Sequence, residues 1–475
     1  MRMRRLCSRP SKEGVNCKEN VDIMRKTRLS MRETIVVAST LFGMFFGAGN
    51  LIFPVHLGQM AGSNSWLAII GFCITAVTIP ILAVAAIGNT HSDNLLQLSS
   101  KVGKKYGKWF TAALYLTIGP FFAIPRCASV SFTTGIAPLT SGAAYWVWQL
   151  VFTFIFFAFV MYFSLRPNGI TIWIGRIINP AFLIFLAILI IVALINPGAP
   201  LSEVTPTDAY KSGALFNGII EGYGTMDAIA GLAFGIVIIN VVRDLGVEKD
   251  GDVARETVKA GVFTGILMAV IYVLTIIMGA QSRGLFELSD NGGIALTQIS
   301  KHYLGGFGSF ILAVTITLAC LKTAIGLVTS CGEMFVKVIP GKLNYRGWAM
   351  VFTLFSFIVS NVGLTAIIKY AVPVLMLLYP LAIVLIMLAL FEKLFKGSRY
   401  VYLCATIGAF IPAIFDFFKT LPEGLQKVLG IPGMTFIGQK IFPFFDLGLG
   451  WVVPALIGLV VGIILTATKG KKETA

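Results

Sequence analysis

The sequence predicts an all-α polytopic membrane protein with 12 transmembrane helices, and three observations carry that prediction. Apolar runs of about 20 residues, the length a helix needs to cross a ~30 Å hydrocarbon core, recur along nearly the whole chain. Of its 475 residues 56% are hydrophobic and 13% charged, roughly half the charged share of a soluble domain. Clusters of Gly, Pro and charge punctuate every gap between the runs. A transmembrane β-barrel would instead alternate apolar and polar residues over strands of ~10 residues, and no such segment is visible.

The runs fall near residues 33–58, 66–88, 109–136, 145–163, 171–195, 212–241, 256–280, 306–334, 346–361, 364–391, 399–417 and 448–468. The stretch after Arg32 lacks a small-residue cleavage site and continues through Phe53, so it reads as a first span rather than a signal peptide. Residues 1–30 form a basic arm without apolar periodicity, in which Met24, like Met31 just after it, is an alternative start. No role beyond orientation is assigned to it.

Lysine and arginine set the orientation. The arm to Arg32 and alternate loops, from Lys101–Lys108 through Lys469–Lys472, hold 29 of them. The opposite loops hold six: Lys211, Arg283, Lys301, Lys419, Lys427 and Lys440. By the positive-inside rule both termini are expected in the cytoplasm, in a bacterial inner membrane. The net charge of +16 is then a matter of topology, and no nucleic-acid partner is expected. Trp66, Trp109, Tyr145, Trp146, Trp148, Trp348 and Trp451 fall at span ends and read as interfacial anchors. Cys7 and Cys17 lie in the arm and most other cysteines inside spans; no CxxC pair or Cys/His ligand spacing occurs, so neither disulfide nor metal site is expected.

Two spans are poor helices. The first reads LFGMFFGAGNLIFP from Leu41 to Pro54, with Gly43, Gly47 and Gly49 inside seven residues and Asn50 directly after. The sixth reads EGYGTMDAIAG from Glu221 to Gly231, two acids and three glycines near mid-membrane. Unwound backbone at that depth is tolerated only against protein or a watery cavity. The bland alternative is helix packing, because Gly43/Gly47 and Gly231/Gly235 both make GxxxG. Two such clusters, five spans apart, imply two five-helix units of inverted topology with matching breaks, the pattern of a transporter site. Half-helix N-termini there suit a carboxylate, and freed carbonyls suit a cation or an ammonium.

At these residues the chain resembles the branched-chain amino acid:cation symporter family, the bacterial system II carriers of the amino acid–polyamine–organocation superfamily. The span 1 run is the most specific match, supported by LTIGPFFAIPR (Leu116–Arg126), GYGTMDAIAGLAFG (Gly222–Gly235) and LACLKTAIGLVTSCGE (Leu318–Glu333). The likeness covers about residues 31–468 and leaves out the arm. It implies a LeuT-like fold: a 5+5 inverted repeat over 31–195 and 196–391, with discontinuous helices 1 and 6, then two further helices within 392–475. It also implies alternating-access symport of leucine, isoleucine and valine, driven by Na+ or, in some members, by H+. No cofactor beyond the coupling ion and no ATPase subunit are implied.

The site residues expected on this footing are, for the substrate, Gly47, Ala48, Gly49 and Asn50 at the first break and Gly222, Tyr223, Gly224, Thr225 and Met226 at the second. Phe45, Tyr115 and Met226 are the candidates for an apolar side-chain pocket. A coupling cation is expected between carbonyls near Gly43 and Phe46 and the Cys320 carbonyl and Thr323 hydroxyl of span 8. Lys322 either pairs with Glu221 or Asp227 or itself handles a proton. Arg126 either pairs with an acid or lines the outer mouth, and Glu221 and Asp227 are expected to face the cavity, since a lipid-facing carboxylate is hard to stabilise. His56, His91 and His302 are far apart, and HExxH, GxSxG and Walker A patterns are absent. An intramembrane enzyme would need a clustered acid–base or metal set and a channel would need a filter; the sequence marks neither.

Overall fold

The computed structural model describes residues 26–90, 92, 94–140, 142–166, 170–428 and 431–470. Most of the basic arm, with Cys7 and Cys17, and His91 lie outside the described residues. Among the described residues no strand forms; a single bridge joins Lys26 to Val247.

Sixteen principal helices make twelve spans. The first span is α1 (Met31–Phe45) and α2 (Gly49–Ala61). The second is α3 (Ser65–Cys73) and α4 (Ile79–Asn89), and the third α5 (Lys104–Leu116) and α6 (Ala123–Gly135), each pair joined by a π turn. Then come α7 (Ala143–Ser164) and α8 (Ile170–Ile195), the sixth span α9 (Asp208–Tyr223) with α10 (Asp227–Asp244), and α11 (Asp250–Gln281). The chain ends with α12 (Gly292–Val338), α13 (Tyr345–Ser360), α14 (Leu364–Leu390), α15 (Arg399–Lys419) and α16 (Val452–Gly470).

By length and apolarity alone, seven continuous helical stretches among the described residues qualify as spans, and the α9–α10 pair, bent by 43°, makes an eighth. The remaining four are the first span, divided by its break, and three with shorter apolar stretches, Leu183–Ile195, Tyr345–Ser360 and Val452–Thr468. α1 opens with a capping box: the Ser30 hydroxyl accepts from the Glu33 amide and the Glu33 carboxylate accepts from the Ser30 amide at 3.0 Å. α12 is longer than the expected 306–334, because a helix from Gly292 leads into the span and turns at Gly305, whose φ of +65° only glycine adopts readily.

The packing carries the inverted repeat. α1 and α2 lie against α11 of the seventh span, as α9 and α10 of the sixth lie against α3 and α4 of the second. The closest approaches match as well. A Cβ on Gly58 would strike the Ile276 carbonyl of α11, and one on Gly218 would strike the Ala68 carbonyl of α3. α15 and α16 pack on each other, and α15 packs against α14. Contacts of Lys26 with Gly246, Lys101 with Glu392 and Ser398 with Thr466 gather both ends of the described chain on one face, the terminal face.

Trp66, Trp109, Trp146 and Trp148 are exposed on the lipid-facing surface. Trp451 is not the expected interfacial anchor: it is 9% exposed, packed inward at the start of α16 with its indole N–H beside the Tyr223 hydroxyl. Trp348 is half-buried between Phe335 and Phe352.

Candidate functional site

The first break forms because Phe46 leaves the helix for extended backbone (φ −74°, ψ 98°), and α2 resumes only at Gly49. The freed Gly47 amide donates to Asn50 Oδ1 at 2.9 Å, so a side chain replaces the lost helical acceptor. At the second break Met226 turns left-handed, with φ +66° and ψ 12°, and α10 starts at Asp227. Thr225 braces that turn, its hydroxyl donating to the Gly222 carbonyl at 2.9 Å.

One knot ties the two breaks together. Asn50 Nδ2 donates at 2.5 Å both to Asp227 Oδ2 and to the Tyr272 hydroxyl of α11, and Tyr272 donates to Asp227 Oδ2 at 3.3 Å. All three side chains are buried. Asp227 is thus committed to the scaffold and lines neither of the two cavities described below, contrary to the expectation that it faces the cavity.

Arg126 reaches between the breaks from α6. Its Nη1 donates to the Gly224 carbonyl at 2.6 Å and its Nη2 to the Thr225 carbonyl at 3.5 Å, oxygens that the broken helix leaves without amides. The guanidinium lies over the Phe53 ring, 5.3 Å from its centroid, and Nε is buried without a partner. Nη2 is 2.8 Å from where a Cβ on Gly49 would stand, so the guanidinium packs directly on the glycine. Among the described residues Arg126 forms no ion pair.

Two cavities flank this junction. One of about 10 Å³, room for roughly one water-sized group, lies between the first break and α12 and is lined by Gly43, Phe46, Gly47, Ala48 and Cys320 among others. Thr323 faces the same break, its Oγ1 3.7 Å from a Cβ position on Gly47 while donating to the Ala319 carbonyl at 3.0 Å. The other, about 130 Å³, is walled by Phe53, Phe122, Arg126, Glu221, Tyr223, Gly224 and Met226 and by Ile367, Ile368, Ala371, Val372, Leu375 and Met376 of α14.

Several expected residues fall elsewhere. Tyr115 is buried in α5 with its hydroxyl donating to the Ala233 carbonyl at 3.0 Å, and Phe45 packs toward Gly231 of α10; neither lines either cavity. Gly222 is a packing position, where a Cβ would strike Thr75. Gly231 and Gly235 likewise seat α10 on α4, the former 2.8 Å from the Pro80 carbonyl at its Cβ position, so the packing reading of that GxxxG is correct. Lys322 is half-buried and forms no ion pair with Glu221 or Asp227. Sequence reasoning missed Tyr272, whose only mark is a lone hydroxyl in an apolar run, and the α14 wall, where apolar residues in an apolar helix carry no mark at all.

A twelve-span bundle with an inverted five-helix repeat, whose first and sixth spans break against one another at a buried polar junction, defines a LeuT-like membrane transporter. The family described as "Branched-chain amino acid transport protein" matches residues 30–469, and the chain belongs to that family. It is 49% identical over 433 residues to the branched-chain amino acid permease BrnQ of Lactobacillus delbrueckii subsp. lactis, covering 91% of this chain and 96% of that one. To BrnQ of Bacillus subtilis (strain 168) it is 39% identical, over 94% of this chain and 99% of the other. Among solved structures, the closed conformation of the nucleobase-cation-symport-1 transporter Mhp1 with bromovinylhydantoin bound shares the fold. The TM-score is 0.56 at 14% identity, covering 92% of this chain and 93% of that one.

Proposed function

We propose that the protein imports leucine, isoleucine and valine by alternating access, coupled to Na+, with both termini on the cytoplasmic side of a bacterial inner membrane. The observation that carries this reading is the junction itself: two helix breaks, tied by Asn50 and Asp227, beside a largely apolar cavity of about 130 Å³. The names of the relatives supply the substrate class. An apolar pocket distinguishes one methylene by only ~1–3 kcal/mol, so the three branched substrates compete with one another while lysine and glutamate do not. Displacement of leucine by an equal concentration of lysine would count against this.

Sodium coupling is supported by the small cavity between the first break and α12, where Gly43, Phe46 and Cys320 meet and Thr323 faces Gly47. Proton coupling is the second reading, because Lys322 sits half-buried in α12 without an ion-pair partner among the described residues, and lysines shift pKa readily on burial. Uptake in proteoliposomes with sodium replaced by choline separates the two. Under sodium coupling, uptake collapses in choline, Thr323→Ala raises the sodium requirement, and a pH gradient alone drives nothing. Uptake indifferent to sodium that follows the proton gradient and vanishes in Lys322→Met would overturn the choice.

A further inference from the structure

The larger cavity carries two charged side chains of opposite sign that do not pair with each other. Arg126 spends Nη1 and Nη2 on the carbonyls of the second break, while its buried Nε–H has no partner. Glu221, one turn before the break, lines the same cavity, and its carboxylate forms no hydrogen bond or ion pair among the described residues. The rest of the wall is mostly apolar, with Phe53, Phe122, Ile367, Ile368 and Val372. Unpaired charges at this depth are expensive. Two charges of opposite sign that line one cavity without pairing are stabilised by a solute that brings both counter-charges and no net charge.

We propose that Arg126 and Glu221 bracket the zwitterionic head of the substrate, the guanidinium turning its unpartnered Nε–H and the weakly held Nη2 to the α-carboxylate and the Glu221 carboxylate taking the α-ammonium, with the branched side chain against α14. This rests on the carrier reading above and replaces recognition of the carboxylate by backbone amides alone. A zwitterion holds carboxylate and ammonium on one carbon, which matches two fixed charges facing a common space. Arg126 also abuts Gly49, so a carboxylate on the guanidinium lies at the N-terminus of α2, where helical amides favour an anion. Charge-assisted bonds to a planar guanidinium give direction as well as affinity. A ligand lacking either charge leaves one of the two side chains without its counter-charge, which is how such a site rejects it.

The test is equilibrium binding of radiolabelled leucine to the full-length purified protein, competed by leucinamide, which lacks the carboxylate, and by 4-methylpentanoate, which lacks the ammonium. In the wild type both competitors bind far more weakly than leucine. Arg126→Gln lowers leucine affinity on the order of 100-fold and leaves leucinamide unchanged, while Glu221→Gln lowers leucine comparably and leaves 4-methylpentanoate unchanged. Arg126→Lys keeps the charge but not the fork, retains part of the affinity, and serves as the folded control if Arg126→Gln melts early. Equal losses for all three ligands in both variants would reduce the pair to a structural role and overturn the assignment. Wild-type leucine affinity in a well-folded Glu221→Gln protein would do so too. A wild type that ignores leucine but binds another neutral amino acid with the same crossed pattern would sink the substrate reading and leave the head-group assignment standing.

Discussion

Asn50 is one residue satisfying three others. Its carbonyl oxygen takes the Gly47 amide freed by the first break, and its amide nitrogen serves Asp227 of the second break and Tyr272 of α11. Asn50→Ala leaves the Gly47 amide without its acceptor and Asp227 and Tyr272 with only each other, and losing hydrogen bonds to a buried charged group costs about 1.5–3 kcal/mol. Thermal unfolding in detergent therefore falls by several degrees in Asn50→Ala and by less in Asp227→Asn, which keeps an acceptor oxygen for Tyr272. A melting temperature equal to wild type in Asn50→Ala would mean the knot does not hold the breaks together. Gly49 is sensitive in a different way. A single Cβ displaces only the tip of the Arg126 side chain, whereas Gly49→Leu fills the space between guanidinium and break, so binding is lost while expression is kept. Asn50 and Gly49 were legible in the sequence because a polar amide and a glycine run are anomalies inside an apolar helix. Tyr272 and Phe53, which complete the same junction, were not, since aromatic residues are ordinary in such helices.

At the scale of elements, the glycine clusters located both breaks to within a few residues, yet did not tell which glycines open the helix and which seat it on a neighbour. Gly47 and Gly224 belong to the breaks, while Gly222, Gly231 and Gly235 are packing positions against the second span. The distinction lies in the partner helix, more than a hundred residues away in sequence, and no local pattern encodes it. The second break also rests on a residue that sequence rules do not favour there. Met226 holds a left-handed backbone, which costs a residue with a Cβ roughly 1–2 kcal/mol. An unbranched Cβ tolerates it better than a β-branched one. Met226→Leu conserves volume and flexibility at Cβ, so it is expected to be close to neutral. Met226→Ile conserves volume but is β-branched, and is expected to lose a further ~1 kcal/mol of stability and to weaken leucine binding. Equal melting temperatures for the two variants would show that the turn relaxes without strain.

For the whole molecule, apolar runs marked where the spans lie, although by length and apolarity only eight of the twelve qualify in the structure, and the matched packing of the first span on the seventh and of the sixth on the second gives the repeat its inverted symmetry. That same symmetry makes the two faces of the bundle hard to tell apart by shape, because each five-helix unit presents to one face what the other presents to the opposite face. Charge breaks the tie. The terminal face gathers the loop through Gly246 and Lys249, where Lys26 docks, while the opposite face carries the long connection from Thr420 to Trp451. The count of 29 lysines and arginines for the first side and six for the second is what supports the proposed orientation, with the terminal face in the cytoplasm. Lys249 and Lys427 are both exposed, so each accepts a cysteine without disturbing the core. In a cysteine-free background, Lys427→Cys reacts with a membrane-impermeant maleimide in intact cells, whereas Lys249→Cys reacts only after the membrane is opened. The reverse pattern would overturn the proposed orientation, and the 130 Å³ cavity, lined from α9, α6 and the Ile367–Met376 stretch of α14, would then belong to the cytoplasmic half and not to the outer half that this orientation gives it. Leucine added outside would then meet Arg126 and Glu221 only after the break had rearranged.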